Sequence, residues 1–220
     1  MLHKNKVKNI TKYEKNLGFV PTMGAIHAGH ISLIKKSKKE CDKTVVSIFV
    51  NKPQFNRKSD FLNYPKRLKK DIAIIKKTKA DILFLPEDKE IYPNGKNRKV
   101  RIDKFHNKLC GKFRPGHFNA VVDVVDRFAK IINPYKIYLG EKDMQQLKLI
   151  KSFFAKKHPK IKIVECKTIR EKNGLALSSR NFLLSEKQKL IGSKIYRFLI
   201  SNKKKIISKK TKISEIKNNI

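Results

Sequence analysis

Cysteine is scarce in this chain of 220 residues: Cys41, Cys110 and Cys166 are scattered and never paired as CxxC. That excludes a disulfide framework and a cysteine-built zinc site, and it fits reduced thiols in a cytoplasmic protein. Long apolar runs are also missing. No stretch could cross a bilayer as a helix, and residues 1–9 are not followed by the apolar core of a signal peptide. Acidic residues are few, 18 against 54 lysines and arginines, for a formal net charge of +36. So large an excess invites a nucleic-acid reading. The lysines, however, spread along the whole chain, with no RNP motif, zinc finger or aromatic-basic interleaving. Composition supports a general attraction for anions and no specific nucleic-acid partner. A basic nucleic-acid-binding module stands as the alternative from a different class.

What is present suffices for a packed core: 40% of the residues are hydrophobic. The length suits one domain, or one plus a small second. Apolar, β-branched runs at 17–20, 44–50, 81–86, 135–139 and 161–164 read as strands. Helical spacing follows His30, recurs over 66–77 with Leu68, Ile72 and Ile75 on one face, over 119–132, and again from Met144. Strands alternating with helices predict a doubly wound parallel sheet, with ligands at the carboxyl ends of the strands. Residues 98–111 read as a short strand and a turn. Asp123 and Asp126 read as a solvated helix face. Ser185 caps a further helix, and a lysine-rich tail runs from there to Ile220.

The chemistry gathers first in FVPTMGAIHAGH, residues 19–30. A buried strand meets a break at Pro21 and Gly24, and His27 and His30 follow in the first turn of a helix. Such a helix start has unpaired N–H groups and a partial positive charge, so it suits phosphate. Gly24 and Gly29 let a ligand approach the backbone. Imidazoles three apart share a helix face and can donate to phosphate oxygens. The pattern repeats at Gly140-Glu141-Lys142-Asp143, again strand, glycine and helix start, where Lys142 can reach phosphate as a point charge. Further on, Ser178, Ser179 and Arg180 offer two hydroxyls and a guanidinium in succession, which suit triphosphate oxygens.

Five segments occur in this order: FVPTMGAIHAGHISLI, VVSIFVNKPQF, LCGKFRPGHF, YLGEKDMQQL and REKNGLALSSRN. Together they resemble the pantothenate synthetase (pantoate–β-alanine ligase) family of the HxGH nucleotidyltransferase-like superfamily, over about residues 17–184. The resemblance implies an α/β fold, with a Rossmann-like doubly wound parallel sheet and a small C-terminal lid domain. The domains implied are residues 1–166, binding ATP and pantoate, and residues 167–220, the lid. It implies a homodimer that joins pantoate to β-alanine through a pantoyl-adenylate, releasing AMP and pyrophosphate. Another HxGH nucleotidyltransferase is the nearer alternative.

The resemblance also implies residue roles. His30 is the proton donor, with His27 and Lys142 on the phosphates. Met23, Gly24, Ala25, Ile26, His27, Ala28, Gly29 and His30 line the ATP site. Gly140, Glu141, Lys142 and Asp143 bind ribose and phosphate. Ile169 offers its backbone to adenine, and Leu177, Ser178, Ser179 and Arg180 close over the triphosphate. Gln54 and Gln146 hold pantoate, and Arg114 is structural or at the edge of the site. Mg²⁺ accompanies ATP on phosphate oxygens and water, with no protein metal ligands. Two departures stand out. The family's VNPxQF is here Val50-Asn51-Lys52-Pro53-Gln54-Phe55, with the proline one place later. Family members are typically longer, so the lid is expected to be incomplete here: either the sequence is truncated or the lid is reduced.

Overall fold

The computed structural model describes residues 4–12, 14–95 and 100–208. In chain order the elements are α1 (Lys4–Thr11), β1 (Leu17–Thr22), α2 (Ala28–Glu40), β2 (Lys43–Ile48), α3 (Lys58–Leu62), α4 (Leu68–Lys77) and β3 (Ile82–Phe84). There follow α5 (Asp88–Ile91), α6 (His117–Ile132), β4 (Lys136–Gly140), α7 (Met144–Lys157), β5 (Lys162–Cys166), α8 (Glu186–Ser201) and α9 (Lys203–Ser208). Short 3-10 turns at Lys52–Gln54, Lys104–Asn107, Leu109–Phe113, Glu141–Asp143 and Ser179–Leu183 fill connections.

The strands form one parallel sheet in the order β3-β2-β1-β4-β5. The doubly wound sheet expected from the sequence is therefore present. Strand alternation sends successive side chains to opposite faces. Phe19, Val45, Ile137 and Leu139 join α6 and α7 in one core, with Phe128 and Ile150. Val20, Val46 and Tyr138 join Ile34 of α2 and Ile75 of α4 in the other. Both faces are covered, which is why the strands read as near-continuous apolar runs. Strand order reverses between β1 and β4, so a crevice opens there beyond their carboxyl ends. His27 and His30 follow β1 and Lys142 follows β4, on either side of that crevice.

Four expectations need correction. Among the described residues of 98–111 there is no strand but two 3-10 turns; Arg98 and Lys99 lie outside the described residues. Gln145 stitches these turns to α7: its Nε2 donates to the carbonyls of Phe105 (2.9 Å) and Lys108 (2.7 Å), and its Oε1 accepts from Cys110 N–H (3.1 Å). Asp123 and Asp126 are buried, not solvated. Asp123 accepts from Arg127 Nε at 2.8 Å, and Asp126 accepts from His158 Nε2 at 2.6 Å. These partners, one turn along and 32 residues along, let α6 bury two carboxylates. On α4 the buried positions are Asp71 and Ile75, while Leu68 is exposed. Helix α6 also starts two residues before its expected first turn, after Gly116 in the left-handed conformation. The N-terminal residues 1–3 and the tail 209–220 lie outside the described residues.

Candidate active site

The loop from Met23 to Ile26 is clamped from two directions. Asp71, buried on α4, accepts the backbone N–H groups of Ala25 and Ile26 through its two oxygens, each at 2.8 Å. Ser179 donates toward the carbonyls of Ala25 (3.2 Å) and Gly24 (3.4 Å). Gly24 has φ +81°, and a Cβ there would lie 2.9 Å from Asp71 Oδ2, so glycine serves both conformation and approach. This clamp fixes the entry to α2 and thereby both histidines.

His27 is the N-cap of α2 and not part of its first turn; His30 is the third helical residue. Gly29 N–H donates to His27 Nδ1 at 3.1 Å, and His27 N–H donates to His30 Nδ1 at 3.4 Å. A Cβ on Gly29 would lie 2.8 Å from the His27 ring, so the glycine lets that ring fold over its own helix. Two amides at the helix start are thus engaged by the imidazoles. A neutral imidazole whose Nδ1 accepts carries its proton on Nε2. Burial holds His30 down to about 3, aided by His27 and Lys142, and burial with Lys142 also lowers His27. Both rings are therefore neutral Nε2–H donors in the free protein.

One pocket at the crevice collects most of the expected residues. Met23, His27, Gly29, His30, Gln54, Gly140, Lys142, Asp143, Gln146, Ile169, Leu177, Ser178, Ser179 and Arg180 all stand on its wall. Gly24, Ala25, Ile26, Ala28 and Glu141 do not: Ala25 and Ile26 turn into the protein, 1% and 4% exposed. Several wall groups are already engaged. The Lys142 ammonium lies 2.8 Å from Asp143. Arg180 binds both oxygens of Asp60, at 3.0 and 2.9 Å. Ser178 accepts from Arg180 N–H at 3.3 Å, and the Ile169 carbonyl accepts from Leu177 N–H at 3.0 Å.

The two glutamines sit differently. Gln54 accepts from Asn51 Nδ2 at 3.1 Å and donates to Met23 Sδ at 3.1 Å. Its main-chain carbonyl accepts from His117 Nδ1 (2.7 Å) and Arg114 Nη2 (3.5 Å). Burial lowers the His117 pKa to about 4. Gln146 is half-buried on the wall. The wall also carries apolar side chains: Val121, Val124, Val125 and Phe128 of α6, with Leu33, Phe49 and Ile150. Among the described residues no group of three or more His, Cys, Asp or Glu could hold a metal ion.

Sequence reasoning missed Asp71, Asp60, Asn51 and the α6 wall. Asn51 lay inside a segment already singled out, and the α6 valines recur at helical spacing. An acid within a lysine-rich helix was the signal for Asp71.

Polar donors at the switch point, a basic side chain after β4 and apolar side chains of α6 thus share one pocket. The family described as Pantoate-beta-alanine ligase matches residues 2–220. The chain belongs to the pantoate–β-alanine ligase family. It is similar to the pantothenate synthetase of Pseudothermotoga lettingae, 41% identical over 184 residues, covering 84% of this chain and 66% of that one. It also resembles that of Francisella philomiragia, 46% identical, covering 84% and 72%. Among solved structures, the Francisella tularensis pantoate-β-alanine ligase complexed with "Beta-gamma ATP and Beta-alanine" is 43% identical, with TM-score 0.84, covering 90% of this chain and 78% of that one. The pantothenate synthetase of Thermus thermophilus superposes with TM-score 0.90 at 33% identity, covering 98% and 78%. The chain spans about two thirds of the first relative's length. Among the described residues no helix is long and apolar enough to cross a membrane.

Proposed function

We propose that this chain condenses pantoate with β-alanine in two steps at the β1–β4 crevice, at the expense of ATP. In the first, the pantoate carboxylate attacks the α-phosphorus and pyrophosphate leaves, giving pantoyl-adenylate. In the second, the β-alanine amine attacks the acyl carbon, AMP leaves, and the amine sheds a proton. Both are displacements at charged centres, so positioning and electrostatic stabilisation carry the rate. No covalent enzyme nucleophile is required.

The observation that carries this reading is that two donor sets share the wall of one pocket. One comprises His27 and His30, whose Nδ1 atoms accept backbone N–H groups, and Lys142. The other comprises Gln54 and Gln146, on a wall that also carries apolar side chains of α6. The first set suits the α- and β-phosphates and the charge that grows on the leaving pyrophosphate. Neutral imidazoles give hydrogen bonds there without surrendering a proton. The second suits an acyl part with one carboxylate, two hydroxyls and a branched carbon, since amides both donate and accept. Leu177 to Arg180 would close over the triphosphate, with Arg180 exchanging or sharing Asp60. Main-chain groups near Ile169 would meet adenine.

Among the described residues none forms a protein cage for Mg²⁺. An ion travelling with ATP would rest on phosphate oxygens and water, near Asp143, the one carboxylate among the described wall residues. A homodimer, a cytoplasmic setting and a division into residues 1–166 and a lid at 167–220 belong to the same reading and rest on the family resemblance.

The test is direct. The purified chain is given ATP, pantoate and β-alanine, and products are followed by mass spectrometry. AMP and pantothenate should appear in equal amounts, with no AMP when pantoate is left out. ADP as product, or AMP release indifferent to pantoate, would contradict the proposal.

A further inference from the structure

We infer that Tyr92 is a positioning residue, which fixes Gln54 with its amide N–H group, and not its carbonyl, presented to the pocket. The inference rests on the reading of Gln54 as a pantoate ligand and adds how, and in which polarity, that ligand is set.

The argument begins at a backbone carbonyl. Asn51 is buried, and its Nδ2 lies 3.3 Å from the carbonyl of Ala120 on α6. A carbonyl only accepts, so the Asn51 nitrogen must face it. The second Nδ2 hydrogen then points to Gln54 Oε1 at 3.1 Å, and that oxygen is spoken for. The Asn51 Oδ1 that remains is met by the Tyr92 hydroxyl at 2.6 Å. Tyr92 thus completes the bonding of Asn51, Asn51 completes that of the Gln54 oxygen, and the Gln54 nitrogen is left for the cavity. Its present partner there is Met23 Sδ at 3.1 Å. A thioether is a weak acceptor, readily exchanged for a substrate oxygen.

Tyr92 is well placed to hold its end. It is 5% exposed, with the Arg127 guanidinium 4.6 Å over its ring and Phe49 6.4 Å away centre to centre. Burial and Asp123 raise its pKa above the ordinary phenol value, so the hydroxyl stays a donor throughout the neutral range. Tyr92 is not on the pocket wall, whereas Asn51 and Gln54 are. Its effect must therefore pass through them. The His117 and Arg114 bonds to the Gln54 carbonyl pin the main chain, which leaves the side-chain amide as the part that Tyr92 governs.

The experiment measures KM for pantoate and for ATP in Tyr92→Phe, Gln54→Ala, Gln54→Glu and the double variant Tyr92→Phe/Gln54→Ala, with thermal unfolding of each. Tyr92→Phe should raise the pantoate KM about fivefold to tenfold, on the order expected when one buried polar atom loses its partner. The ATP KM should stay within twofold. The double variant should be no worse for pantoate than Gln54→Ala alone. Gln54→Glu keeps an oxygen for Asn51 and loses the donor, so it should impair pantoate at least as much as Gln54→Ala. Multiplicative effects in the double variant, equal changes in both KM values, or an unchanged pantoate KM in Tyr92→Phe would each overturn the inference. So would a wild-type pantoate KM in Gln54→Glu, which does not depend on how Tyr92→Phe folds. A wild-type pantoate KM in Gln54→Ala would instead remove the reading of Gln54 itself.

Discussion

The rings of His27 and His30 stack with centroids 4.0 Å apart and planes 30° from parallel, each with Nδ1 turned to a backbone N–H. Two cations could not share that spacing cheaply. The arrangement is stable because both rings are neutral.

A pH dependence of stability follows. The His30 pKa in the folded chain is about 3, against 6.5 for a free imidazole. Between those values the unfolded chain binds the proton and the folded chain does not, so stability falls as the pH drops from 6.5 toward 3. One such group contributes a slope of at most about 1.4 kcal/mol per pH unit. Urea unfolding of the free protein at about pH 7, 6, 5 and 4 should show this loss, and His30→Gln should flatten part of it. A wild-type slope in His30→Gln would place the titration elsewhere.

Asp71 should matter more to stability than its distance from any substrate suggests. It alone accepts the N–H groups of Ala25 and Ile26, both buried. Asp71→Ala should cost about 2–4 kcal/mol, since it leaves two buried donors without a partner. Equilibrium urea unfolding gives the number, and a loss below about 0.5 kcal/mol would mean that the loop holds itself.

The Asp60–Arg180 pair should divide cleanly between stability and binding. Both side chains are partly exposed, so Asp60→Asn should cost less than about 1 kcal/mol in unfolding. Asp60 takes Nε and one Nη of the guanidinium, which leaves its far edge for phosphate. Arg180→Ala should raise the ATP KM at least tenfold, by loss of a charged hydrogen bond of about 1.5–3 kcal/mol. Pantoate KM should hold. Equal effects on the two substrates would assign Arg180 a structural role.

The sheet was legible because its central strands are buried on two faces and so read as near-continuous runs of apolar and β-branched residues, as residues 44–48 do. His27, His30 and Lys142 were legible because glycine breaks mark where strands end. Asp123 and Asp126 were misread for a physical reason: burial of a carboxylate is decided by partners, and His158, 32 residues after Asp126, is invisible to helical periodicity. The same holds for Asp71, whose partners are backbone groups 45 and 46 residues earlier. Ser179 and Arg180 were found by residue type, but their present bonds, to a loop carbonyl and to Asp60, come from contacts 120 or more residues apart. The apolar part of the wall looked like ordinary core because the same α6 side chains, Val121, Val124, Val125 and Phe128, belong to both.

Lys142 separates the two steps. Its ammonium sits beside Asp143 on the pocket wall, and its charge lowers the pKa of both histidines, so the three side chains share one end of the pocket. Lys142→Ala should slow adenylate formation far more than aminolysis. Supplying preformed pantoyl-adenylate with β-alanine should restore much of the rate. A variant equally slow from the adenylate would move Lys142 away from the phosphates.

The central claim is that this pocket activates pantoate on the α-phosphate of ATP with His30 as a donor. Exchange of labelled pyrophosphate into ATP reads that step alone, without β-alanine. The wild-type chain should exchange label only when pantoate is present. His30→Ala should lower the exchange by about two to four orders of magnitude, the range for losing a group that stabilises the transition state. Exchange that ignores pantoate, or a His30→Ala variant that exchanges at the wild-type rate, would contradict the account.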